Sequence, residues 1–294
     1  MSGIFDTGHV RRAFGRAAAS YEAHAVLQDE VRRRLQERLE DLALTPKTIL
    51  DVGCGTARGT AALRKRYPGA RIIALDLAMP MLREARRHRS WLRPFSRVCA
   101  DAEALPLAEA SVDLLHSNLC LQWCGQPGTV LDEFRRVLRP QGTLLFSTFG
   151  PETLHELRQA FAEVDAMPHV SRFLDIHQIG DALLAAGFRD PVLERDTFTL
   201  TYADVLALMR ELRAIGATNA DTERSRSLTG KQHLQRVIAA YERHRQQGRI
   251  PASYEVVYAQ ARAPDASQPR RSADGAAIAS FPVDRLRGSR RSKT

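Results

Sequence analysis

Apolar positions along this chain follow a helical period first and a strand-like period afterwards. Between residues 9 and 44, Leu27, Val31, Leu35, Leu39 and Leu42 recur at three- and four-residue steps with Arg and Glu between them, the period of a helix that buries one stripe. Thr45-Pro46 ends that run. Within it, Phe14-Gly-Arg-Ala-Ala-Ala-Ser-Tyr21-Glu-Ala-His24 is too rich in small residues for an ordinary amphipathic stripe. From residue 48 short apolar runs alternate with helical patterns. Strands are predicted over 48–52, 70–75, 96–100, 112–117 and 143–149, and helices over 59–66, 79–88 and 130–138. Arg139-Pro140-Gln141-Gly142 reads as a turn. Helices over 152–164 and 176–186 follow, the second stopped by Gly187. Strands over 191–201 and 254–262 complete the set, with helical patterns over 205–215 and 234–245 between them.

Strands alternating with helices at this interval imply an α/β fold with a parallel sheet covered on both faces. The expected organisation is an N-terminal helical lid over 1–46, an α/β core over 47–201 that ends with a last strand over 251–263, and an inserted helical segment over 202–250. Residues 264–294 are rich in Arg, Ser, Ala, Asp and Pro with little apolar content, and are expected to be disordered.

The chain has 294 residues, 44% of them hydrophobic, enough for one large domain with an inserted subdomain. No apolar run approaches the roughly 20 residues of a membrane span, and Met1-Ser-Gly-Ile-Phe-Asp6 lacks the apolar region of an export signal. A cytoplasmic protein with no membrane partner is the expectation. Cys54, Cys99, Cys120 and Cys124 form no C-x-x-C pair, and Cys120-x-x-x-Cys124 has no matching second pair. No metal site is therefore expected. The net charge of +9 suits an acidic partner, although an arginine-rich solvated surface gives the same number.

One stretch concentrates the chemistry. In Thr48-Ile-Leu-Asp-Val-Gly-Cys-Gly-Thr56 a strand ends in an acid, and two glycines then bracket one small residue. The spacing Gly53-x-Gly55-x-x-x-Gly59 differs from the G-x-G-x-x-G of dinucleotide binders. With Asp51 two residues before the first glycine, it resembles motif I of the class I S-adenosylmethionine (SAM)-dependent methyltransferases. Ala57 stands where many members carry glycine. The resemblance implies a Rossmann-like seven-stranded sheet with SAM as methyl donor.

A SAM site needs close backbone approach for the amino-acid arm, an acid for the ribose diol and an apolar slot for adenine. Gly53, Cys54 and Gly55 supply the first, and Asp76 at the end of the second strand supplies the second. Asp101-Ala102, ending the third strand, is placed for the adenine amino group, with Leu77 and Met81 flanking the ring. Asp51 is placed to hold the ammonium, and Asn118 follows the fourth strand. Asp76 is equally readable as a cap or turn residue, and Leu77 and Met81 as core.

Three further segments narrow the resemblance. They are Ala13-Phe-Gly-Arg-Ala-Ala-Ala-Ser-Tyr21, Ser117-Asn-Leu-Cys-Leu-Gln-Trp-Cys124 and Met209-Arg-Glu-Leu-Arg-Ala-Ile-Gly-Ala-Thr-Asn219. Together with Phe146-Ser-Thr-Phe-Gly-Pro-Glu-Thr-Leu-His-Glu-Leu-Arg158 and Tyr254-Glu-Val-Val-Tyr258 they are similar to the malonyl-[acyl-carrier protein] O-methyltransferases of biotin synthesis, over about residues 9–262. That resemblance implies methyl transfer to the free carboxylate of a malonyl thioester on acyl-carrier protein, an acidic partner, as the first step towards pimelate. A carboxylate is ionised at neutral pH and needs no general base, and no Ser-His-Asp or Cys-His arrangement is apparent. Tyr21 is the expected donor to that carboxylate and Arg213 its bidentate counter-ion, with Gln122 and Trp123 lining the acceptor pocket. Packing roles for Tyr21 and Trp123, and a solvated Arg213, stay open. Arg11, Arg12, Arg16, Arg210 and Arg213 are candidates for docking the carrier.

The closest alternative is a related group that shares the fold and the Gln-Trp loop but hydroxylates an arginine, or acts as a SAM-binding assembly factor for a respiratory complex. A nucleic-acid methyltransferase is disfavoured, because the chain has neither an Asn-Pro-Pro-Tyr nor a Pro-Cys signature.

Overall fold

The structure, a computed structural model, describes residues 5–88, 94–222, 230–265, 270–271 and 277–278. The expected helix over 9–44 is broken into α1 (Thr7–Ala17), α2 (Tyr21–His24) and α3 (Val26–Glu37). The break follows the run of small residues. Ala17, Ala18 and Ala25 are buried, and the Ser20 hydroxyl donates to the carbonyls of Ala17 and, across the molecule, Ala214. A serine that bonds backbone in this way competes with helix continuation.

The core then runs β1 (Thr48–Val52), α4 (Arg58–Arg66), β2 (Arg71–Asp76), α5 (Met79–Glu84), β3 (Ser96–Cys99), β4 (Val112–Asn118), α6 (Pro127–Val137) and β5 (Leu138–Phe149). After it come α7 (His155–Ala162), α8 (Ile176–Ala185), β6 (Arg189–Tyr202), α9 (Val205–Ala214), α10 (Lys231–Glu242) and β7 (Ile250–Arg262). The seven strands lie in the order β3-β2-β1-β4-β5-β7-β6. The first five are parallel, and β7 is antiparallel to both β5 and β6. This is the Rossmann-like sheet expected of a class I methyltransferase.

Strand alternation explains how one sheet serves two apolar layers. Ile49 and Leu114 point into a cluster with Leu27, Val31 and Leu35 of α3, Leu157 of α7 and Tyr241 of α10. Leu50 and Leu115, the next residues along, point into the opposite cluster with Val130 and Phe134 of α6 and Leu183 of α8. Each such side chain, fully buried, contributes about 1.5–3 kcal/mol. α3 is therefore a core layer, so the segment expected as a lid over 1–46 divides, and α1 and α2 lie outside that cluster.

The expected turn at 139–142 is instead a bulge inside β5. Val112 pairs with Leu138 and Leu114 with Thr143, so the intervening residues of β5 are looped out, with Gln141 at φ 61. The last strand starts at Ile250, earlier than expected. Pro251 is tolerated because that part of β7 has β6 alone as neighbour, β5 joining from Val256 onward. The segment 264–294 lies largely outside the described residues. Its described backbone includes an antiparallel pairing of Arg270–Arg271 with Ala277–Ile278.

Candidate active site

Strand order reverses between β1 and β4, and open α/β sheets bind ligands in the crevice outside the carboxyl ends at such a switch point. The β1–α4 turn occupies that crevice. Gly53 adopts φ 68, and a Cβ there would lie 2.5 Å from both Cβ and Sγ of Cys120. Gly55 adopts φ 54, and a Cβ there would meet Tyr21 Cε1 at 4.0 Å, across the open cleft. One glycine is needed for the fold of the turn and the other to leave its backbone accessible. Ala57, buried at the start of α4, takes φ 68, a conformation costing an L-residue about 1 kcal/mol.

A cleft of about 750 Å³ opens beside this turn, lined among others by Gly53, Gly55, Asp76, Leu77, Met81, Asp101 and Ala102. Asp76 is buried, its Oδ2 accepting from Gly55 N and its Oδ1 from Ala78 N, both at 2.8 Å. Burial pushes its carboxyl up to about 6, against the opposing pull of those two N–H groups. Asp76 thus supports the glycine turn and also presents its carboxylate at the cleft. Asp101 accepts from Glu103 N at 3.0 Å through Oδ1 alone, and Met81 and Ala102 are buried on the cleft wall. An acid at the end of β2, an acid just past β3, apolar side chains between them and a glycine that a Cβ would extend into the cavity fit an adenosine. SAM is the cofactor these residues suit.

A second cleft adjoins the first beneath α3 and is lined by Asp51, Cys54, Gly55, Arg58, His116 and Asn118. Asp51 is 2% exposed, and both its oxygens are engaged, Oδ2 by the Thr60 hydroxyl at 2.5 Å and Oδ1 by His116 Nδ1 at 2.8 Å. Neither Thr60 nor His116 was anticipated from the motif, since only the fold brings them together. Asn118 lines both clefts, but its side chain bridges Gln28 O and the Ser147 hydroxyl. It ties β4 to α3 and β5.

A third, largely apolar cleft lies on the other side of the switch point. Phe14, Leu119, Trp123, Phe149, Phe173 and Tyr254 form much of its wall. Tyr21 lines all three clefts. It is half-buried, burial followed by the nearby Asp76 charge pushes its hydroxyl well up from the ordinary phenol value, and among the described residues that hydroxyl has no hydrogen-bond partner. It is a neutral donor rather than a base. Trp123 lines the first and third clefts, held edge-on by Phe14 with centroids 5.2 Å apart. In the sequence, the signal for Phe14 is a bulky ring beside a run of alanines.

Of the two remaining candidates, Gln122 is placed as expected and Arg213 is not. Gln122 lines the third cleft, but it is 7% exposed, donating to Leu119 O and accepting from the Thr148 hydroxyl. These two bonds fix the amide to the loop and leave one of its N–H groups for a ligand in the cleft. Arg213 is exposed on α9 and lines none of these clefts; its neighbour Leu212 faces the third. Helical geometry turns adjacent residues about 100° apart, so the two cannot share a target.

Residues 50–146 match a family described as "Methyltransferase domain". The chain is 53% identical to malonyl-[acyl-carrier protein] O-methyltransferase of Xylella fastidiosa (strain M23), covering all of both chains. It is 49% identical to the protein of that name from Laribacter hongkongensis (strain HLHK9), covering 94% of this chain and 96% of the relative. Among solved structures, the YcgJ protein of Bacillus subtilis has a TM-score of 0.57 at 13% identity, covering 79% of this chain and 98% of that one, a likeness of fold alone. The curated relatives lend no support to the arginine-hydroxylase or assembly-factor alternative. Their identity spans the lid, the core and the inserted segment, and by it the chain belongs to the malonyl-[acyl-carrier protein] O-methyltransferase family.

Proposed function

We propose that this enzyme methylates the free carboxylate of a malonyl thioester carried on acyl-carrier protein, using SAM as methyl donor. The observation that carries this reading is the position of Tyr21, which borders the cofactor cleft, the cleft beside it and the largely apolar cleft at once. SAM supplies an electrophilic methyl group. The protein's own task is to place an anionic oxygen beside it, and such positioning is worth several kcal/mol. Gly53, Gly55, Asp76 and Asp101 hold the cofactor, while Leu119 and Trp123 form the partition between its cleft and the acceptor's.

The acceptor carboxylate is already ionised near pH 7, so no residue has to remove a proton. The apolar wall of Phe14, Phe149 and Phe173 strips water from the malonyl group, and Tyr21 offers one hydrogen bond that orients it. A neutral donor suits this better than a buried cation, because the carboxylate loses its charge when the ester forms and the product must leave. Incubation of the purified protein with SAM and malonyl-acyl-carrier protein should add one methyl to the malonyl group by mass spectrometry. No methyl ester at saturating SAM would refute the reading.

Arg11, Arg12 and Arg16 stand together on the exposed side of α1, along a shallow groove with Leu77, Met79 and Pro80. A basic rim at the lid steers an acidic carrier to the site, an attraction screened beyond about 8 Å at physiological salt. Raising salt should lower kcat/KM for the carrier-bound substrate several-fold more than for a small malonyl thioester. Equal loss for both substrates would remove the docking role. Among the described residues, no helix is long and apolar enough to cross a membrane.

A further inference from the structure

We propose that Asp165, His169 and His233 form a binding site for a zinc-class divalent cation on the wall of the acceptor cleft. Their ligand atoms all lie within 4.8 Å of one another. His169 Nε2 is 2.9 and 3.0 Å from the two oxygens of Asp165, and His233 Nε2 is 3.1 Å from Oδ2. Donors around a tetrahedral zinc stand about 3.4 Å apart, given Zn–N and Zn–O bonds near 2.1 Å. The two histidine–carboxylate separations already lie within about 0.5 Å of that spacing.

One nitrogen argues for an ion over a simple hydrogen-bond network. His233 Nε2 is buried and close to the Asp165 carboxylate, yet makes no hydrogen bond to it. At 3.1 Å distance is not the obstacle, so direction is: the ring nitrogen aims beside the oxygen rather than at it. A shared ligand lying between them would satisfy both.

The surroundings are those of a supported site. Asp165 Oδ1 also accepts from Met167 N at 2.9 Å. Phe161 stacks on the His169 ring with centroids 3.9 Å apart, fixing its plane. Supporting contacts of this kind orient metal ligands. The three side chains are 18–27% exposed, so an ion has access. Two imidazoles and one carboxylate suit zinc, cobalt or nickel over magnesium or calcium.

The site joins segments far apart in the chain. Asp165 and His169 follow α7, whereas His233 lies on α10 of the inserted segment. The same connection carries Val170, Ser171 and Phe173, which line the acceptor cleft with His169. A bound ion would clamp that wall to α10. Cysteine spacing is silent on it, because none of the ligands is a cysteine, and His169 and His233 stand 64 positions apart in sequence.

The test is titration of metal-free, untagged protein with Co²⁺ and then Zn²⁺. One equivalent of Co²⁺ should bind with the visible absorption of a low-coordinate nitrogen–oxygen site, and Zn²⁺ should displace it. His233→Gln and Asp165→Asn should each weaken binding by about 100-fold or more. His244→Gln, beyond the end of α10, should leave it unchanged. Failure of the wild type to bind a stoichiometric ion overturns the proposal. So does binding that survives the Asp165→Asn, His233→Gln double substitution, which would place the ion on other histidines.

Discussion

Replacing Asp76 with alanine is expected to weaken SAM binding by about 100-fold. A hydrogen bond to a charged acceptor is worth about 1.5–3 kcal/mol, and 1.4 kcal/mol is a factor of ten in affinity. Two ribose hydroxyls donating to one carboxylate therefore account for two decades even when neither bond is ideal. The same residue makes affinity depend on pH. With its carboxyl near 6 in the cofactor-free protein, Asp76 is protonated in acid, and a neutral carboxyl is the poorer acceptor. SAM affinity should rise as pH is raised through about 6 and level off above 7. Stability has the opposite sign. The folded state holds this proton more tightly than the unfolded chain, whose carboxyl titrates near 3.9, so the Asp76 contribution falls as pH rises from about 4 to 6 and is constant beyond. Calorimetric titration across pH, with Asp76→Asn as reference, checks both. An alanine variant within about twofold of wild-type affinity would remove Asp76 from the cofactor site.

Tyr21→Phe is expected to lower kcat by about 10- to 100-fold while SAM affinity stays within about twofold. The estimate rests on one lost hydrogen bond to an anionic acceptor, about 1.5–3 kcal/mol. Loss in kcat without loss of cofactor binding marks an interaction made during transfer. The phenol is neutral throughout the accessible pH range, so the variant should not alter the shape of the pH–rate profile. Single-turnover rates measured beside SAM titrations separate the cases. Proportional loss of both quantities would show that the ring packs the lid and does nothing else.

The cleft beside the glycine turn was legible because its lining residues sit at strand ends, where a short apolar run followed by an acid or a glycine is visible along the chain. Gly53, Asp76 and Asp101 all fall there. The apolar cleft was not, because it is assembled from segments far apart in the chain, Phe14 and Trp123 being 109 positions from each other. Tyr21 was found through a lid segment of unusual composition, but Phe14 beside it acquires meaning only when Trp123 packs against it. Arg213 shows the opposite failure. A charge of suitable chemistry in the right segment still occupies one angle of a helix, and Leu212 took the angle that faces the cleft. The Asp51–His116–Thr60 cluster was hidden because Asp51 looked free in the motif, and a β4 side chain and an α4 side chain hold it in the fold.

The pairing of Tyr202 with Ile250 has an evolutionary consequence. The whole interval between β6 and β7 leaves and re-enters the sheet at adjacent rungs of one ladder, so its length is set by no strand. Lengthening a flexible loop costs only about 0.6 kcal/mol per doubling, so the constraint on this interval comes from the side chains that α9 and α10 bury and not from the distance to be spanned. Extra length between α9 and α10 can therefore be accommodated across a lineage, whereas Val205, Leu208, Val237 and Tyr241, which the two helices bury in the core, have to be kept.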